Sequence, residues 1–160
     1  MRQSVAKEQG ALASLRRLAG RGRAGDQLQA ASRRLEGALA TELDALERAY
    51  TALTGQNLPN IDLGPDERAM AEKVYVPLLD LAAFEDALEK MKRGGALHSM
   101  MRFEVLNFAD GRRSAFEVYK AVAVVALSAG EWYYGRVTPK EVLEVLDSGV
   151  TAGAFTVRKR

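Results

Sequence analysis

"NFADGRRSAFEVYKAV", residues 107–122, is the stretch on which the reading of the fold turns. Asp110-Gly111 is turn chemistry: Asp bonds to backbone amides just ahead of it, and Gly enters left-handed conformations without steric cost. Two arginines follow. Ser114 then stands three residues before Glu117, at the head of an apolar run. That spacing is a capping box, in which the hydroxyl accepts from the third amide and the carboxylate returns to the amide of the cap. A helix over 115–129 is therefore predicted, with Phe116, Tyr119, Val122, Ala123 and Ala126 facing inward.

Upstream, "LHSMMRFEVLNF" (97–108) carries apolar residues at Leu97, Met100, Met101, Val105, Leu106 and Phe108, which predicts a buried helix. Downstream, "GEWYYGRV" (130–137) is aromatic and β-branched, and on that ground is expected to be extended. A second capping box, Thr138-Pro139-Lys140-Glu141, places proline at the first helical position. The helix it starts is expected to run over 139–148 and to end at Gly149. "AGAFTV" (152–157) predicts a closing strand. Helix, turn, helix, short strand, helix, strand is a winged-helix order: three helices share a core and a β-ribbon covers one edge.

The first third of the chain is organised differently. Val5, Leu12, Leu15 and Leu18 lie at helical spacing, "GRGRAG" (20–25) interrupts them, and Asp26 is the expected cap of the next helix. Leu28, Leu35, Leu39, Leu43, Leu46, Tyr50 and Leu53 then form one long stripe that stops at Gly55. This predicts a helical hairpin with a second arm over 27–54. A narrow stripe on so long an arm is a docking surface or a coiled-coil seam. "GQNLPNIDLGP" (55–65) is linker chemistry. A short helix is expected from Pro65, and an extended segment at "VYVPLLD" (74–80). A helix is expected over 81–95, capped by Asp80 and closed by Gly94-Gly95. The expected organisation is a helical hairpin (1–55), a linker with short helices (56–95) and a winged-helix-like domain (96–160), mostly α with a small β-ribbon.

Composition narrows the function classes. With 160 residues, 48% hydrophobic and 28% charged, the chain has enough apolar material for a core. No apolar run approaches the roughly 18–20 residues that span a bilayer, so no membrane span is expected. The first residues lack the apolar block of a signal peptide, and the expected compartment is the cytoplasm. There is no cysteine, hence no disulfide and no thiolate metal site. The net charge of +2 hides an asymmetry: residues 1–34 carry +6, residues 35–157 carry −7, and Arg158, Lys159 and Arg160 add +3.

No catalytic constellation stands out. His98 is the single histidine, with no second ligand in helical register, and a zinc site needs three or four. Glu85, Asp86 and Glu89 fit a solvated helix face. "GRGRAG" has neither the preceding strand nor the GK[ST] of a phosphate loop. No metal or cofactor is expected. DNA binding is disfavoured too. The helix that would enter a groove, "TPKEVLEVLDSG", sets one lysine against Glu141, Glu144 and Asp147, whereas binding a polyanion needs cations. It offers no Arg, Asn or Gln to read base edges. Trp132, Tyr133 and Tyr134 suit packing first and a protein partner second. Arg112 and Arg113 are expected at the surface, paired with acids. The residues assigned to protein interaction are therefore Leu35, Leu39, Leu43, Leu46, Leu53, Trp132, Tyr133, Tyr134, Arg112 and Arg113, meeting another subunit or a second copy of the chain.

The run "VLNFADGRRSAFEVYKAV…LSAGEWYYGRVTPKEVLEVLDSGV" resembles the winged-helix-like C-terminal region appended to certain bacterial di-zinc aminopeptidases. The resemblance covers about residues 97–157. It implies descent from, or association with, a metallopeptidase. Those enzymes hold two zinc ions through two histidines and several carboxylates. His98 matches no ligand segment, so no catalytic residue carries over. Either the peptidase domain is missing from the chain or the module has been separated and reused; the charge asymmetry and the long 27–54 helix suit the second, an accessory subunit that clasps another protein. The alternatives are a fragment of an aminopeptidase whose catalytic domain lies elsewhere, and a winged-helix DNA-binding regulator.

Overall fold

The computed structural model of the protein describes residues 2–20, 22–78, 80–91 and 95–160. It is mostly α-helical with one small antiparallel ribbon, as the sequence predicts. The chain divides into two compact units, Met1–Asp62 and Leu63–Arg160.

The N-terminal unit is the expected hairpin. Helix α1 spans Arg2–Ala19 and α2 spans Arg23–Thr54. The expected cap at Asp26 is not used. The helix begins earlier, after Gly22, and Asp26 lies inside the first turn with its N–H donating to the Gly22 carbonyl at 3.0 Å. Gly25 lets the corner close: a Cβ there would meet the Gly20 oxygen at 2.6 Å. At the far end Gly55 takes φ 69°, and its N–H caps the Thr51 carbonyl, which is the αL stop that glycine favours.

Two side-chain bonds set the hairpin register. Gln9 donates to Glu36, and Arg16 donates to Gln29. Seven residues along α1 match seven residues back along α2. A further seven bring Arg2, the first residue of α1, opposite Leu43. Leu46, Tyr50 and Leu53 lie further along α2 than that level. Leu35, Leu39 and Leu43 are half-buried, while Leu46 and Leu53 are exposed. Within α2 only Gly25 is buried, so this unit has a seam rather than a core.

The C-terminal unit holds the core. Its elements are α3 (Pro65–Ala71), β1 (Lys73–Pro77), α4 (Leu81–Lys90), α5 (Ser99–Phe108), α6 (Ala115–Ala129), α7 (Glu131–Tyr134), α8 (Pro139–Thr151) and β2 (Phe155–Lys159). Helices α5, α6 and α8 pack on one another. They bury Met101 and Val105, then Val118, Val122 and Ala126, then Val142, Val145 and Leu146. Both capping boxes form as the sequence predicts. Ser114 accepts from the Glu117 N–H and Thr138 from the Glu141 N–H, while each carboxylate returns to the amide of its cap. Asp80 caps α4 through the Ala83 N–H. Helix α4 itself stops at Lys90; the expected continuation to Gly94-Gly95 crosses residues 92–94, outside the described residues.

The ribbon is assembled differently from expectation. The segment 130–137 does not supply a strand: Glu131–Tyr134 is one helical turn, in which the Tyr133 and Tyr134 N–H groups both donate to the Gly130 carbonyl. The partner of β2 is β1, from the segment read as linker, in antiparallel register with Tyr75 opposite Val157 and Pro77 opposite Phe155. On its other side β1 meets the quoted stretch, through a bridge between Val74 and Ser114 and a bond from the Gly111 N–H to the Tyr75 carbonyl. The chain divides between residues 62 and 63, whereas the sequence places boundaries at 55/56 and 95/96. Residues 63–91 are part of the C-terminal unit, because β1 has backbone partners on both sides.

The inward face of α6 is also rotated from expectation. Ala115, Val118, Val122 and Ala126 are buried, while Phe116, Tyr119 and Ala123 are half-buried at its margin. In α5 Met100 is exposed, and Met101 takes the core position.

Candidate functional site: an exposed aromatic turn

Gly130 and Gly135 bracket α7, with φ of 111° and 73°. Gly130 is required sterically as well: a Cβ there would lie 2.4 Å from Trp132 Nε1. The turn thus folds the indole back over its own start. Tyr134 points inward and packs against the core, whereas Trp132 is 87% exposed and Tyr133 is largely exposed. The three rings contact in series, Trp132–Tyr133 at 5.7 Å and Tyr133–Tyr134 at 4.8 Å, both edge to face. Each such pair adds about 0.5–1.5 kcal/mol beyond its buried area.

His98 completes the cluster. Its ring lies 5.0 Å from Tyr134 and 5.6 Å from Tyr133. Its Nδ1 accepts from the Met100 N–H at 3.2 Å, so His98 caps α5. With Nδ1 accepting, the neutral ring carries its proton on Nε2. The histidine thus has a structural task in its helix cap, which the sequence pattern did not signal. Among the described residues, no three His, Asp or Glu side chains are placed to share a metal ion.

The arginines of the quoted stretch have local tasks. Asp110 Oδ1 accepts from the Arg112 and Arg113 N–H groups, closing the turn. The Arg113 guanidinium pairs with Asp110 Oδ2 at 2.9 Å and lies 5.3 Å over the Phe108 ring. Arg112 is exposed. Arg158 donates to the Gly111 carbonyl, and Arg160 pairs with Glu117 at 2.9 Å.

The acids of α8 are likewise engaged within the unit. Glu141 closes the capping box. Asp147 accepts from the Tyr75 hydroxyl at 2.6 Å. Burial, reinforced by that hydrogen bond and by the negative charge of Asp147, raises the Tyr75 hydroxyl well above its ordinary value. Glu144 lies within 4.0 Å of Lys140, both well exposed.

Glu117 is the titrating group of the first capping box. Burial acts to raise its pKa, but the Ser114 amide and hydroxyl and the Arg160 guanidinium outweigh it and hold the carboxyl below its ordinary value. A folded-state pKa below the unfolded value means stabilisation present above the unfolded glutamate range and lost as pH falls through the folded pKa. Glu117→Gln should cost about 1 kcal/mol near neutral pH, since Arg160 is partly exposed and the amide keeps one acceptor. The difference from wild type should shrink as the solution is acidified, read from melting temperatures at a series of pH values. A difference that grows on acidification would contradict this assignment.

Comparison with protein-family models, with curated proteins and with solved structures finds no match. Among the described residues, no helix is long and apolar enough to cross a membrane.

The sequence-assigned interaction residues fall in three places. Leu35, Leu39, Leu43, Leu46 and Leu53 line α2 in the N-terminal unit. Trp132, Tyr133 and Tyr134 are the last three residues of α7. Arg112 and Arg113 occupy the turn beside β1. The structure brings the aromatic residues together with His98, and gives Arg113 to its own loop.

Proposed function

We propose that the chain is a non-catalytic protein-interaction module, an accessory subunit whose C-terminal unit docks on another polypeptide through the Trp132–Tyr133 turn. The carrying observation is Trp132 itself: an indole 87% exposed, yet held in place by Gly130 and by the Tyr133–Tyr134–His98 stack. A large aromatic side chain left in water forgoes roughly 1.5–3 kcal/mol of burial that a partner's pocket can supply. Preorganisation lowers the entropy that docking would otherwise cost. Trp and Tyr are also the residues that most often dominate interface energies. The resemblance of 97–157 to the region appended to bacterial di-zinc aminopeptidases makes a metallopeptidase the first partner class to try.

The reading of α8 as a DNA-recognition helix gains no support, since Glu141 and Asp147 serve the fold and Lys140 faces Glu144.

A photo-crosslinker placed at position 136, exposed just after the turn, should capture one dominant protein in extract of the source cells. Trp132→Ala with Tyr133→Ala should weaken that capture by about tenfold or more, given hot-spot losses of about 2 kcal/mol, while the melting temperature stays within a few degrees of wild type. Capture unaffected by the double substitution would sink the role of this turn. Stoichiometric zinc together with aminoacyl hydrolysis that survives repurification would overturn the non-catalytic reading.

A further inference from the structure

His98 is not the residue that a helix cap alone would select. Ser, Thr, Asn and Asp lead at that position, since a short side chain brings an oxygen to the first free amides. The His98 imidazole does the same work through Nδ1, which accepts from the Met100 N–H at 3.2 Å. That bond fixes the rotation of the ring. The ring is then held against α7, 5.0 Å from Tyr134 and 5.6 Å from Tyr133.

Helix α7 has little to hold it from within. It is a single turn of four residues, and its backbone closes through two bonds to the Gly130 carbonyl. One turn fixes several dihedrals for few hydrogen bonds, so it does not persist by itself. Tyr134 is anchored, because it packs against the core. Tyr133 and Trp132 are exposed. Among the described residues, Tyr133 makes ring contacts with Trp132 and Tyr134 of its own turn and with His98. Of these three rings, the imidazole is the one that comes from outside α7. The ring contact of Trp132 is with Tyr133. Support therefore runs from the start of α5 through His98 to Tyr133, and from Tyr133 to Trp132.

We propose that His98 is a positioning residue for the aromatic turn: its imidazole is set by the cap of α5 and in turn sets Tyr133, and through it the indole of Trp132. A serine or asparagine at this position would cap α5 without a ring to meet α7. A phenylalanine would meet α7 without capping α5. Histidine does both. This role rests on the reading of the turn as a docking site, because an indole already held in place leaves less ordering to be supplied when a partner binds.

Trp132 is the only tryptophan in the chain, so its fluorescence reports on the turn directly. In the full-length protein, His98→Asn and His98→Ser should lower the fluorescence anisotropy of Trp132, since the cap is kept and the ring is lost. His98→Phe should hold the anisotropy near the wild-type value, although loss of the cap lowers the melting temperature of the C-terminal unit by about 4–8 °C. A ring that restores order in a less stable protein is a rescue that a merely structural role would not give. Capture by the crosslinker at position 136 should weaken several-fold in His98→Asn and His98→Ser and recover in His98→Phe. Anisotropy unchanged in both polar variants, or lowered as much in His98→Phe, would overturn the proposal. Lowered anisotropy with undiminished capture keeps His98 as the positioning residue and refutes docking through the turn. Capture that needs Trp132 and Tyr133, with wild-type anisotropy in the polar variants, does the reverse.

Discussion

Phe155→Ala should lower the stability of the C-terminal unit by about 3–5 kcal/mol, the usual cost of truncating a buried aromatic. Phe155 opens β2, is 2% exposed, and sets its ring edge to face against Phe84 of α4 at 5.6 Å. It also lies against Gly149 of α8. One side chain thus ties the ribbon, α4 and α8 together, and its loss opens a cavity that three elements border. Since domains of this size are stable by only about 5–15 kcal/mol, the loss is a large share. The unit should still melt cooperatively, at a much lower temperature. Denaturant unfolding followed by circular dichroism measures the change, and a loss below 1 kcal/mol would show that the ring is not packed as described.

Gly149→Ala should be destabilising by about 1–2 kcal/mol, although alanine is the better helix former by about 1 kcal/mol. The two effects compete, and the geometry decides between them. A Cβ on Gly149 would lie 2.5 Å from Phe155 Cδ2 and 2.8 Å from Cε2. That ring is buried and has no room to swing away. Gly149→Val should cost more, because a branched side chain meets the same wall. Combining Gly149→Ala with Phe155→Leu should cost less than the sum of the separate changes, since the smaller side chain relieves the clash; contacting residues couple in this way. Strict additivity in that double-mutant cycle, or a stabilised Gly149→Ala, would contradict the packing.

Gly149 also shows how a local signal can be read for the wrong reason. Its position after an amphipathic run predicts a helix stop, yet α8 continues through it to Thr151. The glycine is there for the close approach of Phe155, a residue whose position depends on where β2 finds its partner.

The strands teach the same lesson. "AGAFTV" and "VYVP" each announce extended structure, and β2 and β1 form there or within a few residues. Their pairing joins positions as far apart as Lys73 and Lys159, and no nearest-neighbour rule encodes it. "GEWYYGRV" has β-prone residues throughout and still becomes a helical turn. Gly130 offers its carbonyl to two amides, and Tyr134 gains burial by turning inward. Among the candidate residues, Trp132 and Tyr133 were legible as aromatic, but their exposure was not. His98 joined them only once the residue that caps α5 came up against Tyr133 and Tyr134.

The sequence alone determined what depends on contacts a few residues apart: both capping boxes, the Asp110-Gly111 turn, the helices at 115–129 and from Pro65 and Pro139, the hairpin, and the leucine stripe. These are set by hydrogen bonds and side-chain spacings within one or two helical turns, so the local chain carries all the information they need. Only the tertiary structure decided the rest. It chose β1 as the partner of β2, placed the Tyr75 hydroxyl on Asp147, and turned Tyr134 inward beside His98. Each of these follows from burying surface against residues distant in sequence, where the free energy depends on the shape of the whole packed core rather than on any neighbouring side chain.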